Sequence, residues 1–253
     1  MNLKDLLELL YTARSRFSSL QMEWEYRYRA DLTDAAVQEL ARASSGSTGI
    51  VRARAEEAAP PAQESSVLWK LWWQKPGCWR DEQHSREMSL RIFCRGEWFR
   101  YGSGGAGLTT NVEPAKDWPA VQLSRTPLRP GRQTPSLEEA VQDYPGVDPS
   151  FLLATHDLEV LGESEYAGRR ALRVRGVYRR GKDLPWEPFF WKLAEAQEFL
   201  VDVERGVLLR YTSWVGGQRL AQAAVQRVVF DQPIPEEVFS FIPPPGARVE
   251  VIA

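Results

Sequence analysis

The sequence predicts an α+β protein built on one strongly curved antiparallel sheet of about nine to eleven strands, with very few helices. In the last third of the chain, apolar runs are separated by Gly-containing turns at 204–206 and 216–217, a layout typical of consecutive antiparallel strands. An earlier pair of runs, 158–178, bends at Ala167 and Gly168. Residues 23–29 alternate aromatic and charged side chains, which is the period of a half-buried strand. The length of 253 residues suits one large β-rich domain or two small ones.

The first predicted element is an amphipathic helix that packs on the sheet. Its charged residues separate apolar ones at helical spacing, and the pattern ends near Ser18 or Ser19. We expect the helix to bury a stripe made of Leu3, Leu6, Leu7, Leu10, Ala13 and Phe17.

The middle of the chain alternates ordered and irregular segments. Residues 33–66 are rich in Ala, Ser, Pro and charge, and we expect a polar, partly mobile insertion there. Strands resume at Val67, while residues 112–135 are Pro-rich and interpreted as irregular. Short helices are predicted after Ser136, a candidate N-cap, and around 148–156, where Pro149 suits a first helical position.

Charge and cysteine content narrow the classes of function. A net charge of −2 gives no general attraction to nucleic acid, so no nucleic-acid partner is expected. No apolar run approaches the ~20 residues of a membrane span, and the first residues lack a secretory pattern, so a cytoplasmic location is expected. Cys78 and Cys94 permit one disulfide, but two buried reduced thiols are the favoured interpretation.

No motif in the sequence indicates catalysis. His84 and His156 are the only histidines, and neither has a nucleophile or metal ligands at a recognisable spacing. The GSGGAG run at 102–107 lacks the Lys and Ser or Thr of a phosphate-binding loop. We therefore expect a protein that is not an enzyme, with no catalytic residue, no metal site and no cofactor.

Two features are candidates for binding. Arg173, Arg175 and Arg179 share one parity of a predicted strand, which makes either a solvated outer face or a patch for an acidic protein or lipid headgroup. The second feature is aromatic, with ten Trp in the chain, and its residues either line a dry groove for an alkyl chain or pack as ordinary core. The predicted groove residues are Trp24, Tyr26, Trp69, Leu71, Trp73 and Trp98.

A series of short motifs occurs in the order of a known family. The motifs are WEYRYR, LWWQKPGCWRDE, FCRGEWFRYG, YAGRRALRVRG, FLVDVERGVLLRY and FDQPIPEEVFSFIPPPG. In this order they resemble the lipoprotein carrier superfamily typified by LolA and LolB, which also contains the N-terminal domain of the sigma-factor regulator RseB (MucB). The resemblance extends over nearly the whole chain.

The resemblance implies a single domain over 1–253, shaped as an open half-barrel whose concave face is covered by the N-terminal helix and short helices. It implies non-catalytic binding of a lipid or acyl chain in the groove. Arg80 matches the arginine that holds the lid in the carriers, and Leu6, Leu10 and Phe17 belong to the covering helix. The alternative is an RseB-like interaction or regulatory module with a filled core and a protein partner.

Overall fold

A computed structural model describes residues 1–33, 64–75, 78–84, 88–94, 97–102, 121–124, 147, 149–179, 194–240 and 249–252. Most of these residues lie in strands. Short 3-10 turns occupy Ala13–Arg16, Pro149–Phe151 and Glu236–Phe239. The helices and strands are α1 (Leu3–Thr12), β1 (Ser19–Arg29), β2 (Glu64–Gln74), β3 (Cys78–His84), β4 (Met88–Cys94), β5 (Glu97–Gly102), β6 (Val121–Ser124), α2 (Leu152–Thr155), β7 (His156–Tyr166), β8 (Arg169–Tyr178), β9 (Ala196–Asp202), β10 (Leu208–Val215), β11 (Gln218–Phe230) and β12 (Val249–Ile252).

The described strands form one open sheet in the order β12-β6-β5-β4-β3-β2-β1-β11-β10-β9-β8-β7. Strands β2 to β6 pair antiparallel with their neighbours in sequence, and so do β7 to β11 where successive strands are adjacent. Strand β12 joins β6 in parallel. The prediction of an α+β fold with one open, largely antiparallel sheet and an N-terminal helix is therefore confirmed.

Three details of the sequence prediction need correction. The described sheet has 12 strands, more than the nine to eleven expected. One of them, β6, lies in the segment interpreted as irregular, where Val121–Ser124 pairs with β5. The insertion predicted to reach residue 66 ends earlier, because β2 begins at Glu64. The rest of that insertion, residues 34–63, and the helix predicted after Ser136 lie outside the described residues.

By compactness the chain divides into two units. The first comprises Met1–Arg16, Tyr26–Ser66 and Gln142–Ala224, and the second comprises Phe17–Glu25, Val67–Val141 and Val225–Ala253. The expectation of a single domain stays a prediction.

The core of the first unit lies between α1, α2 and one face of the sheet. A capping box fixes the start of α1, with the Asn2 side chain accepting from the Asp5 N–H and the Asp5 carboxylate accepting from the Asn2 N–H. The helix lies against α2 and β7. The turn joining β7 to β8 has positive φ at Ala167 and Gly168, as a two-residue hairpin requires. The buried apolar residues include Leu6, Leu9, Leu10, Leu152, Leu172, Val174, Phe199 and Val201.

The second unit has apolar residues on both faces of its strands. One set of buried side chains comes from β1, β2 and β3 and includes Leu20, Met22, Trp24, Leu71, Trp73 and Trp79. On β4, Leu90 and Ile92 form a separate cluster with Ile234 and with Phe239, the last residue of the 3-10 turn at Glu236–Phe239. This turn therefore covers part of the sheet in the second unit.

The preference for reduced cysteines was wrong. Cys78 and Cys94 form a disulfide, and they lie directly opposite each other in the β3–β4 register. Both pack against the cluster of Leu90 and Ile92. The register of the hairpin brings the two α-carbons to 4.2 Å, which is the spacing of closely opposed residues in an antiparallel pair.

Candidate functional site

The residues predicted to line a groove are mostly buried. In the second unit the exposed fraction is 2% for Trp73, 4% for Leu71 and 6% for Trp24, and in the first unit it is 9% for Tyr26. Trp69 is partly buried. Trp98 lies on β5, and its side chain is outside the described part of the chain.

Trp73 is packed among other aromatic rings in the second unit. The Phe17 ring meets it edge to face, with ring centroids 5.2 Å apart, and Phe230 lies 5.4 Å from Phe17. The Lys75 ammonium stands 5.8 Å from the Trp73 ring. Among the described residues the buried Trp73 Nε1 has no hydrogen-bond acceptor. A buried indole N–H without an acceptor carries an uncompensated desolvation cost.

Tyr26 is held by two further tyrosines in the first unit. Its ring stacks on Tyr28 at 5.6 Å and tilts against Tyr211 at 6.4 Å. Burial, followed by the proximity of these two phenols, raises the pKa of Tyr26 far above its ordinary value. The Tyr26 side chain is therefore neutral at any physiological pH.

A small cavity lies beside the strands of the second unit. Its volume is about 20 Å³, enough for a single water molecule. It is lined by Gln21, Met22, Glu23, Leu71, Trp72 and Arg227.

Leu6 and Leu10 are fully buried on α1 in the first unit, as predicted. The helix ends at Thr12, earlier than the predicted Ser18 or Ser19, so Phe17 lies beyond it and is buried in the second unit. Leu3 and Leu7 of the predicted buried stripe are exposed, because the side of α1 that they occupy does not face the core. The end of this segment is secured by residues that the sequence prediction missed. The turn between β9 and β10 holds the 3-10 turn that follows α1: the Arg205 guanidinium donates to the Arg16 carbonyl. The sequence FLVDVERGVLLRY indicated a turn here, but nothing in it showed that the turn contacts α1.

Arg80 contacts a C-terminal segment of the second unit. Its guanidinium donates to Glu82 Oε1 at 2.7 Å and to the Val238 carbonyl at 3.0 Å, and it lies 5.7 Å from the Trp72 ring. Val238 belongs to the 3-10 turn at Glu236–Phe239. Arg80 thus holds this turn, and its predicted contact with a lid helix stays a prediction.

The predicted arginine patch has acidic neighbours. Arg173 and Arg175 are exposed as expected from their parity. Arg173 lies 3.2 Å from Glu198, and Arg179 donates to Asp157 at 2.7 Å. In the strand register Arg175 lies opposite Glu159 on β7 and Glu198 on β9. The positive charge of this surface is therefore partly balanced by acids, and its role as a partner patch stays a prediction.

The two histidines occupy different environments. His156 is buried in the first unit, where its Nε2 donates to Gln197 Oε1 and its Nδ1 accepts from Thr155 Oγ1, each at 2.7 Å. Burial lowers the pKa of His156 to about 4, despite the opposing effect of the Gln197 hydrogen bond. The Thr155 hydroxyl and the imidazole are sealed from solvent, which denies a substrate access to them.

His84 lies at the surface of the second unit and contacts Glu82 at 2.9 Å. Burial raises the pKa of Glu82, but hydrogen bonds from His84 and Arg80 outweigh it and hold that pKa below its ordinary value. Within the described ranges, no cluster of three or more His, Cys, Asp or Glu could hold a metal ion. None of the described helices is long and apolar enough to span a membrane.

Comparison with known proteins gives matches at the level of structure. No protein-family model and no curated protein matches the sequence. The chain is similar to MucB, with 16% identity, 94% of this chain and 62% of MucB covered and a TM-score of 0.48. It is also similar to a LolA superfamily protein from Nitrosomonas europaea, at 8% identity, 95% and 98% coverage and a TM-score of 0.30.

Both branches of the predicted resemblance are among these structures. The Mycobacterium tuberculosis lipoprotein LppX is a further one, at 9% identity, with 91% of this chain and 97% of LppX covered and a TM-score of 0.40. The chain spans about three fifths of the length of MucB. At these identities and TM-scores, a function has to be argued from the residues of this chain.

Proposed function

We propose that this chain is a non-catalytic protein-interaction module whose core is filled by its own side chains. The observation that carries the proposal is the burial of Trp73, Leu71, Trp24 and Tyr26, whose exposed fractions are 2–9%. A side chain that lined a chamber large enough for an acyl chain would expose part of its surface to that chamber. These side chains contact protein atoms instead.

The volume of the described cavity supports the same proposal. Sites for drug-sized or cofactor-sized ligands measure roughly 300–1,000 Å³. The cavity beside Leu71 and Trp72 measures about 20 Å³. Entry of a lipid at this place would require the surrounding strands or their neighbours to move.

Surface features of the first unit favour a protein partner. Leu3, Leu7 and Tyr11 occupy successive turns of α1 and have exposed fractions of 45%, 41% and 77%. Residues four apart lie on one side of a helix, so the three side chains make an apolar stripe next to the buried one. Contiguous exposed apolar surface is typical of contact sites.

Native mass spectrometry of protein purified without detergent, paired with lipid extraction of the same sample, tests this function. We expect the mass of the chain alone and no binding of added fatty acid or phospholipid. A defined extra mass that matches an extracted acyl compound would overturn the filled-core proposal.

One observation favours a second candidate, the binding of a hydrophobic ligand. The buried Trp73 N–H lacks an acceptor among the described residues, and a lipid carbonyl could supply one. Trp73→Phe keeps an aromatic ring and removes the donor. If a ligand accepts this hydrogen bond, the variant should bind added lipid more weakly than the wild type; if the core is filled, neither form should bind added lipid.

The compartment is also a proposal. The sequence led us to expect a cytoplasmic location, whereas the Cys78–Cys94 disulfide favours an oxidising compartment, where such bonds persist. We therefore propose that the protein works outside the reducing cytoplasm. Thiol labelling of the protein in intact cells, before and after reduction, tests this: labelling without reductant would contradict it.

A further inference from the structure

Strand β7 forms one edge of the described sheet. It runs for 11 residues, His156–Tyr166, and pairs with β8 along one edge. None of the described strands pairs with its other edge. An edge strand presents backbone N–H and C=O groups that can pair with another chain. The addition of a partner strand to such an edge is a common mode of peptide recognition.

The charged residues of β7 are all acidic. Asp157, Glu159, Glu163 and Glu165 are exposed, and the strand contains no Lys or Arg. Strands β7 and β8 shift register between Val160 and Gly162, so Asp157 and Glu159 share the face of Arg175, whereas Glu163 and Glu165 lie on the other face of the sheet.

Charge alternates from strand to strand across the outer face of the first unit. Arg173 on β8 and Arg210 on β10 each lie 3.2 Å from Glu198 on β9, one on each carboxylate oxygen. Glu198 thus shows that a carboxylate in this sheet can bind an arginine on both neighbouring strands. Asp157 and Glu159 of β7 continue the alternation on this face, because they lie on the same side of the sheet as Arg173 and Arg175 of β8.

Two carboxylates of β7 each accept a hydrogen bond from an arginine in or just after β8. Asp157 Oδ1 accepts from Arg179 at 2.7 Å, and Glu163 Oε2 accepts from Arg170 at 3.2 Å. Glu163 Oε1 also lies 3.7 Å from the amino group of Met1. Glu198 binds an arginine on each of its two neighbouring strands. By analogy, we expect a strand added to the outer edge of β7 to carry positive charge.

The same charges disfavour pairing of β7 with a second copy of itself. Self-pairing would bring four carboxylates against four others without a cation in either strand, and like charges on facing strands are destabilising. A strand with Arg or Lys at alternate positions would meet these carboxylates favourably.

We propose that the β7 edge is a docking site for an extended segment of a partner protein that carries Arg or Lys at alternate positions. This inference rests on the proposed interaction function and names the chemistry of the partner. Backbone hydrogen bonds to β7 supply pairing, and Asp157 and Glu159 select the basic side chains. Two exposed apolar side chains near this edge, Leu161 and Val177, add surface for the partner's intervening residues.

A short fluorescent peptide in which Arg and Val alternate tests the docking site on the full chain. We expect binding by anisotropy, weakening with salt, and slower amide hydrogen exchange in β7. Asp157→Asn with Glu159→Gln should weaken binding at least about tenfold. The matched control, Glu236→Gln with Glu237→Gln, removes the same charge from exposed positions of the second unit and should leave binding unchanged.

A second peptide, N-methylated at alternate residues, separates strand addition from plain charge attraction. This peptide keeps every Arg but lacks the N–H donors of every second residue. A third peptide, methylated at the remaining residues, is also tested, because either set of N–H groups could face β7. Equal binding of the methylated and unmethylated peptides would overturn the proposal, and so would equal weakening by the control variant. Formation of a dimer through β7, detected as loss of β7 exchange on concentration, would also overturn it.

Failure here is distinguishable from failure of the proposed function. If the protein has the mass of the chain alone and does not bind the peptide, the β7 docking site is excluded and the proposed function still stands. If the protein carries a defined lipid mass and also binds the peptide, the filled-core proposal is excluded and the β7 docking site still stands.

Discussion

Gly206 lies against the backbone of Leu9 in the first unit. A β-carbon added to Gly206 would stand 2.7 Å from the Leu9 carbonyl oxygen and 2.9 Å from the Ala13 β-carbon. The φ angle of Gly206 is +76°, a conformation that L side chains rarely adopt. The turn after β9 can therefore approach α1 because its fourth residue has no side chain.

Gly206→Ala should destabilise the protein by about 2–4 kcal/mol, since strain at positive φ adds to a clash with helix backbone. Urea unfolding measures the change. Gly168→Ala is the matched control, because its φ is +71° but no atom lies within 4 Å of the added carbon. The control should cost only about 1 kcal/mol. Equal losses in the two variants would show that the turn does not press on α1.

Buried His156 should make stability depend on pH. Burial lowers its folded pKa to about 4 from an ordinary 6.5. Its contribution is fully present above pH 6.5 and is lost as pH falls toward 4, because protonation is easier in the unfolded chain. The difference corresponds to about 3 kcal/mol. Urea unfolding at several pH values should show this loss in the wild type and in His84→Gln, and a much smaller loss in His156→Gln.

Reduction of the Cys78–Cys94 disulfide should lower stability. The bond joins residues 16 apart in sequence, for which chain entropy gives about 3 kcal/mol as an upper value. Thermal unfolding with and without reductant measures the change. The double variant Cys78→Ser with Cys94→Ser should match the reduced wild type and be insensitive to reductant. An intact mass with two free thiols under native conditions would contradict the bond.

Trp73→Ala should cost about 3–5 kcal/mol, because it leaves a cavity next to Phe17 in a packed core. Chemical denaturation measures the loss. Trp214→Ala is the matched control, since 37% of that side chain is exposed, and it should cost less than about 1 kcal/mol. A small loss at Trp73 accompanied by weaker lipid binding would favour the ligand candidate.

Much of the fold could be predicted because its signals are local. Leu172 and Val174 are buried while Arg173 and Arg175 are exposed, as period two requires. The helical spacing of Leu6 and Leu10 located α1. The positions of strands within irregular composition were harder, as β6 shows, because four residues carry too little pattern to reveal a partner.

The candidate site was less predictable. The alternation of the strand placed Trp73 on an apolar face. The same pattern is expected whether that face lines a groove or packs in a filled core, so the sequence could not distinguish the two. One feature of the sequence could have indicated the disulfide. Cys78 and Cys94 are equally far from residue 86, so a hairpin with its turn there places the two cysteines opposite each other. The preference for reduced thiols gave that symmetry too little weight.

The sequence by itself determined the N-terminal helix, most of the strands and the tight turns at Ala167–Gly168 and Gly216–Gly217, because these depend on short-range sterics and periodicity. Tertiary structure alone decided that Arg80 holds the turn at Val238, that Glu198 joins Arg173 to Arg210, and that Gly206 meets Leu9. Each of these contacts joins residues that are adjacent only after strands from distant parts of the chain have paired, and no local pattern encodes that register.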